Sequence, residues 1–485
     1  MRNSAFGPPA IPPGFWARPD VRRALASRDM GELFRLLGQW TGASQMRIGT
    51  AVGLAQGRVS DIVRGKYHVK TVPVFARIAD GLDMPDQARI VLGLAPRLAD
   101  AHPSAPAGPP GPAAVTGSAG TQYPATAGQA VTAITGLWSA DADQAQALLS
   151  AQLDPAAWNA AALAWLLGQP DQALPGSRGN RSVGLADVAR VRATAKLFAQ
   201  LDNRFGGIHA RRALIQYLRD DAAQLLAGRF TDEVGHALFG AVAEAALLAG
   251  WASYDGGLHG LGQRYFVQAL RLAEAATDRR LASSVLSAMS HQAAFLGHAS
   301  EAVNLTRAAQ AGVAAVATPT LMAQFQSMEA RALARLGDTR ACERALAAAE
   351  RSFGQANPGE DPEFISYFNE AELADEFGHC FRDLGQAGRA VEYASRVVAS
   401  SDGEYPRSDF FGTMVLADGY ADQDEPEQAC QTALAALNLG EALTSARCAA
   451  YMREFRHRLE RFDGNPAVRD FGEQAAAFTL WARAA

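Results

Sequence analysis

Three side chains in the stretch GLAQGRVSDIVRGK, Gly53 to Lys66, have the types and the spacing for directional hydrogen bonding from one helix face. The carboxamide of Gln56 can pair with the edge of an adenine, and the guanidinium of Arg58 with a guanine or a phosphate. Asp61, one turn further on, can accept a hydrogen bond from a cytosine amino group. Leu54, Val59 and Ile62 supply the apolar side of the same helix, and Gly53 the turn before it. Arg64, Lys66, His68 and Lys70 follow as a basic run suited to a phosphate backbone, an attraction that weakens with salt. The chemistry is that of a short helix reading a major groove with its N-terminal side chains.

Several short elements must position that helix. Pro19 and Asp20 open a first helix running through Ala26, since proline is tolerated in a first turn. In DMGELFRLLGQW, Leu33, Leu36, Leu37 and Trp40 fall on one face. Three further short helices, SQMRIGTAVG, AQGRVSDIVRG and TVPVFARIADGLDMP, are punctuated by Gly53, Gly65 and Gly81, and DQARIVLGL closes the unit near Leu94. Residues 19–97 thus form one small helical domain behind a Pro- and Gly-rich arm, residues 1–18.

Gln45, the GLAQGRVSDIVRGK stretch and TVPVFARIADGLDMP are similar to the Cro/C1-type (xenobiotic response element) helix-turn-helix of phage repressors and bacterial regulators, over roughly Gly31 to Leu94. The resemblance implies that Gln56, Gly57 and Asp61 face bases, while Gln45, Arg58, Arg64 and Lys66 lie nearer phosphates, with Lys70 from the basic run beside them. The chain departs from that pattern in three places. Ala55 replaces the hydroxyl residue that usually caps the recognition helix, a loss of about 1 kcal/mol. Gly57 stands where a reading side chain is usual, and Gly38 and Val63 replace a common charged pair.

Residues 98–130 are rich in Pro, Ala, Gly, Ser and Thr, too poor in apolar surface to fold alone, and read as a flexible linker. Everything beyond is helical in pattern, so the fold class expected is all-α. Residues 131–230 precede a repeat that occupies 231–445, and 446–485 form a capping end. Gly257, Gly297 and Gly337 recur 40 residues apart, continued by Gly385 and Asp424, each followed five residues later by a small residue. Seven residues before each of these turns lies another small one: Gly250, Ser290, Ala330, Gly378 and Ala417. Small residues there let two antiparallel helices approach closely. The pattern looks like tetratricopeptide repeats, with Phe266 and Tyr420 in aromatic slots, and implies an α-solenoid.

One position past each small residue of the first helices, Trp251, His291, Arg331, His379 and Asp418 line up, with Tyr254 and Arg382 one turn on. An open groove of aromatic, imidazole and guanidinium groups would suit a peptide or an acidic ligand; solvated faces and ordinary packing are the alternative. In FAQLDNRFGGIHARRAL, Asp202, Arg204, His209 and Arg211 flank Gly206-Gly207, read as a helix–helix joint rather than a site.

The net charge of −5 divides into +7 over Met1–Arg97 and −12 over the remainder, a basic module on an acidic body. The first residues lack a signal pattern and no run reads as a membrane span, so a cytoplasmic protein with no membrane partner is expected. The four cysteines lie far apart, without metal-ligand spacing, and are expected as reduced buried thiols. No P-loop, GxSxG, HExxH or metal cluster is present, which leaves neither an enzyme nor a cofactor nor a metal to expect.

With IPPGFW, RIADGLDMP and DNRFGG, the whole chain resembles the actinomycete one-chain regulators that join a Cro/C1-type N-terminus to a tetratricopeptide-like body; in architecture alone it resembles the peptide-pheromone receptors of Gram-positive bacteria. The resemblance implies transcriptional control and a peptide or protein effector in the repeat groove; the small surface of a single N-terminal module leads separately to a homodimer on double-stranded DNA at an inverted repeat. The rival expectation is a scaffold whose repeats bind a protein and whose N-terminal module does not read DNA.

Overall fold

The computed structural model describes residues 11–12, 14–69, 72–92, 120–168, 171, 174, 180–401 and 403–484. Among them there is no strand, only an isolated bridge between Ser182 and Arg229, so the chain is all-α. It divides into two units, Met1–Gly111 and Pro112–Ala485.

The first unit contains α1 (Pro19–Ala26), α2 (Met30–Thr41), α3 (Gln45–Val52), α4 (Gln56–Val63), α5 (Val72–Gly81) and α6 (Asp86–Leu92). Its core is built from Val21, Leu25, Leu33, Phe34, Leu37, Ile48, Val52, Val59, Ile62 and Ile78. Asp29 caps α2 by accepting from Glu32 N, and Ser44 caps α3 by accepting from Arg47 N. Between α3 and α4 the chain turns at Gly53, whose φ of 64° favours glycine. A Cβ on Gly49 would lie 2.5 Å from the Leu54 carbonyl oxygen, so the turn folds directly onto α3 only because that residue is glycine. Two expectations change here. Trp40 is not a core residue: it is 49% exposed, with the Arg18 guanidinium stacked 3.8 Å from its ring. The end of the expected arm is folded, with Phe15 buried in a 3-10 turn, Phe15–Ala17.

The second unit opens with α7 (Ala127–Ala142), α8 (Gln146–Leu149), α9 (Pro155–Leu167), α10 (Leu185–Phe205), α11 (Gly207–Tyr217) and α12 (Ala223–Leu226), the last two joined by a π-helical turn, Leu218–Ala222. Five hairpins follow: α13 (Asp232–Asp255) with α14 (His259–Ala275), α15 (Arg279–Phe295) with α16 (Ala299–Val313), α17 (Pro319–Arg335) with α18 (Thr339–Phe353), α19 (Glu370–Asp383) with α20 (Ala387–Ser400), and α21 (Pro406–Asp422) with α22 (Pro426–Leu439). The end is α23 (Ala446–Leu459), α24 (Pro466–Ala475) and α25 (Thr479–Arg483).

The five turn residues read from the sequence are the hairpin turns. Gly257, Gly297, Gly337, Gly385 and Asp424 all have φ between 61° and 84°. The small residues upstream lie where the paired helices meet: Gly250 faces the Phe266 ring, which an added Cβ would reach at 2.5 Å, and Ser290 Oγ donates to the Ala302 carbonyl oxygen at 2.9 Å.

The expected linker overruns into folded chain. Gln268 donates to the carbonyl oxygens of Gly120 and Gln122, Tyr123 bonds Glu274 at 2.7 Å, and Thr126 with Gln129 closes a capping box on α7. Gln268 and Glu274 lie about 150 residues downstream of their partners, so local composition does not announce them. One helix, α13, is also long and apolar enough to cross a bilayer by length and composition, contrary to the expectation that no run is. Most of that apolar stretch is buried, packed against α10, α11 and α14, as the core helix of a globular unit is.

Candidate nucleic-acid interface and the inner helical surface

In the first unit, α4 buries Val59 and Ile62 and turns Gln56, Gly57 and Arg58 to solvent, with Asp61 half-buried beside them. Ala55 occupies the N-cap in an extended conformation, φ −62° and ψ 145°, with no side chain to accept from the first turn. A Cβ on Gly57 would meet nothing within 4 Å, so that position is open ground on the exposed face. After α4, Gly65 turns the chain at φ 71°, and the Asp61 carbonyl oxygen accepts from Lys66 N and Tyr67 N. Arg64 and Lys66 are exposed, and Gln45 is half-buried at the first position of α3. Lys70 lies outside the described residues.

Sequence reasoning passed over Tyr67. It is 40% exposed, and the Arg58 guanidinium stacks 4.3 Å from its ring. Stacking fixes the plane of the guanidinium while leaving its edge available for hydrogen bonds. An aromatic residue just after the Gly65-Lys66 turn was the available signal.

In the second unit the expected groove residues do come together. Trp251 packs against Tyr254 and His291, with ring centroids 5.7 and 5.2 Å apart, and the Tyr254 hydroxyl lies 3.2 Å from His291 Nδ1. Arg331 pairs with Glu376 at 2.8 Å, His379 with Asp375 at 3.2 Å, and Arg382 with Asp383 and Asp418 at 2.9 and 3.2 Å.

They do not line an open groove. Tyr254, His379 and Arg382 are buried, because α23 lies across them. From α23, the Arg447 guanidinium stacks 5.1 Å from the Tyr254 ring and 4.5 Å from that of Phe411. Tyr451 meets His379 and Phe411, and Arg458 is in ion-pair contact with Asp418 at 3.1 Å. Sequence reasoning missed this set because α23 follows the repeat and shares none of its period.

Burial governs the electrostatics. It raises the Asp418 carboxyl despite the opposing pull of Arg382 and Arg458. It works against the Asp383 carboxylate too, but Arg382 and Arg335 outweigh it and hold that group at about 2. His291 is pushed well below the usual imidazole range, first by burial and then by the charges of Arg447, Arg331, His379 and Arg335.

The Asp202–Arg211 segment is a joint, and a long-range one. Asp202 pairs with Arg407 at 2.7 Å, and the Phe205 carbonyl oxygen accepts from Thr444 N at 2.8 Å. Gly207 N donates to Asp255, which also accepts from Ser445 and lies 3.4 Å from Arg407. A Cβ would lie 2.7 Å from the Thr444 carbonyl oxygen at Gly206 and 2.5 Å from the Ala252 carbonyl oxygen at Gly207, which is why both are glycine. Arg211 turns to Asp141 at 2.6 Å, Arg204 stacks over Phe205, and His209 lies against the same ring. Helices that precede the hairpins are thereby fastened to those that end them.

Comparisons with protein-family models, curated proteins and solved structures find no match for this chain.

Proposed function

We propose that the chain is a sequence-specific DNA-binding transcriptional regulator, in which α4 enters the major groove and the hairpin series, read as tetratricopeptide-like, supports dimerisation, effector binding or both. The observation that carries this reading is α4 itself, a short helix with a buried apolar side and Gln56, Arg58 and Asp61 on the other, followed by exposed Arg64 and Lys66. A unit this small covers too little DNA for tight specific binding, so two copies on an inverted repeat are the expected form.

Selection of random DNA fragments on the purified full chain, followed by a salt series on the recovered sequence, tests it. The reading expects an inverted repeat whose binding falls with salt and is lost in Gln56→Ala. If no sequence is enriched and Gln56→Ala changes nothing, DNA reading is refuted and the first unit is a protein-interaction module.

A further inference from the structure

Arg58 is the third residue of α4 and exposed, in the N-terminal half from which side chains reach base edges. Its guanidinium lies 4.3 Å from the ring of Tyr67, which belongs to a fixed turn. Gly65, at φ 71°, donates its N–H to the Ile62 carbonyl oxygen at 3.1 Å. Lys66 N and Tyr67 N donate to the Asp61 carbonyl oxygen at 2.9 and 3.2 Å, which ties Tyr67 back to the end of α4. A guanidinium stacked on a ring so anchored keeps its plane and leaves its N–H edge free to donate. Asp61 lies three residues beyond Arg58, and residues at that spacing are neighbours on a helix surface.

A held plane serves one kind of acceptor better than another. Phosphates are met by positive charge from many directions, and the exposed Arg64 and Lys66 supply such charge. A guanine instead offers O6 and N7 side by side in the base plane, matched by two coplanar N–H donors. Its cytosine partner presents the N4 amino group next to them. A carboxylate beside Arg58 repels a phosphate but accepts from that amino group. Two donors from Arg58 and one acceptor from Asp61 therefore complement the major-groove edge of a G·C pair. We propose that Arg58 and Asp61 together read one G·C pair in each half-site, with Tyr67 as the positioning residue that holds the Arg58 plane. The assignment rests on the DNA-binding reading above and moves Arg58 from the phosphates, where the resemblance puts it, to a base.

The test uses the full chain and the sequence recovered by DNA selection. Each G·C pair of a half-site is replaced in turn by A·T, and each guanine by 7-deazaguanine, which lacks the N7 acceptor. The unaltered chain is expected to lose about tenfold or more in affinity when one particular pair becomes A·T, and to bind less tightly with 7-deazaguanine there. In Arg58→Ala that pair no longer matters, and in Asp61→Ala it matters less. Tyr67→Ala blunts the preference at the same pair while keeping the salt dependence, and Tyr67→Phe restores it. Tyr67 is exposed, so its removal spares the core of the first unit, and a merely structural role would not change which base is preferred. The assignment is overturned if Arg58→Ala weakens binding by one factor on every sequence and lowers the salt slope by about one, as loss of a phosphate contact does. It is overturned equally if Tyr67→Ala leaves the preference at that pair intact. Both outcomes leave the selected sequence bound and the DNA-binding reading standing, whereas recovery of no sequence removes that reading and this assignment together.

Discussion

The outer face of α4 and the inner face of the hairpin series use the same vocabulary, arginine, acid and amide at helical spacing, to opposite ends. On α4 and just after it the charges meet water: Arg58, Arg64 and Lys66 are exposed. Inside the second unit, Arg331, Arg382, Arg407 and Arg458 are each matched to a carboxylate. Exposed charge costs the fold little and stays available to an outside partner, whereas buried charge must find its partner within the chain. The residue types alone do not distinguish the cases; the presence of a facing helix does.

The largest test of this contrast is Asp255→Ala, which strips a buried carboxylate from Gly207 N, Ser445 and Arg407. Breaking such a buried cluster costs about 3–5 kcal/mol, to be read as a lower urea midpoint for the second unit. Next, Arg58→Ala reduces affinity for a selected DNA by about 1–3 kcal/mol while leaving the unfolding curve unmoved; a matching loss of stability would show that Arg58 serves the fold instead. Ala55→Ser restores the missing cap and stabilises the first unit by about 1 kcal/mol, seen as a higher melting temperature with DNA affinity kept or improved.

The smallest effect concerns pH. His291 is held neutral in the folded state, with its pKa below the ordinary value of about 6.5, so the unfolded chain takes up the proton first. Stability from this residue is therefore fully present above about pH 6.5 and lost progressively as pH falls from there through the lowered folded value. Glu372, raised by burial and by its neighbours Asp375 and Glu376, acts in the opposite sense but equally in both proteins compared. The expected outcome is a shallower decline in urea midpoint between pH 7.5 and 5.5 for His291→Gln than for the unaltered chain.

What could be read in advance follows the range of the forces involved. The turns at Gly257, Gly297, Gly337, Gly385 and Asp424, the small residues at the hairpin contacts and the buried Val59 and Ile62 of α4 are local or periodic, and the pattern of residues exposes them. The all-α class follows from the same periodicity. Trp40 was misplaced because helical spacing does not reveal that Arg18 covers its ring from outside the helix. Arg447, Tyr451 and Arg458, which close the expected groove, leave no periodic trace, because their partners are brought near only when the series curls back on itself. Arg58 on Tyr67 lies between these extremes: the two are nine positions apart, yet the turn at Gly65 decides whether they meet.

The fastening of Phe205 and Asp255 to Thr444 and Ser445 also bears on how such a chain can evolve. An open array gains or loses a unit by duplication or deletion, because each unit depends only on its neighbours. Here an inserted hairpin would carry Thr444 and Ser445 away from their acceptors and leave Asp255 buried without them. The number of hairpins is therefore set by closure, and new specificity has to come from substitution within a body of fixed length.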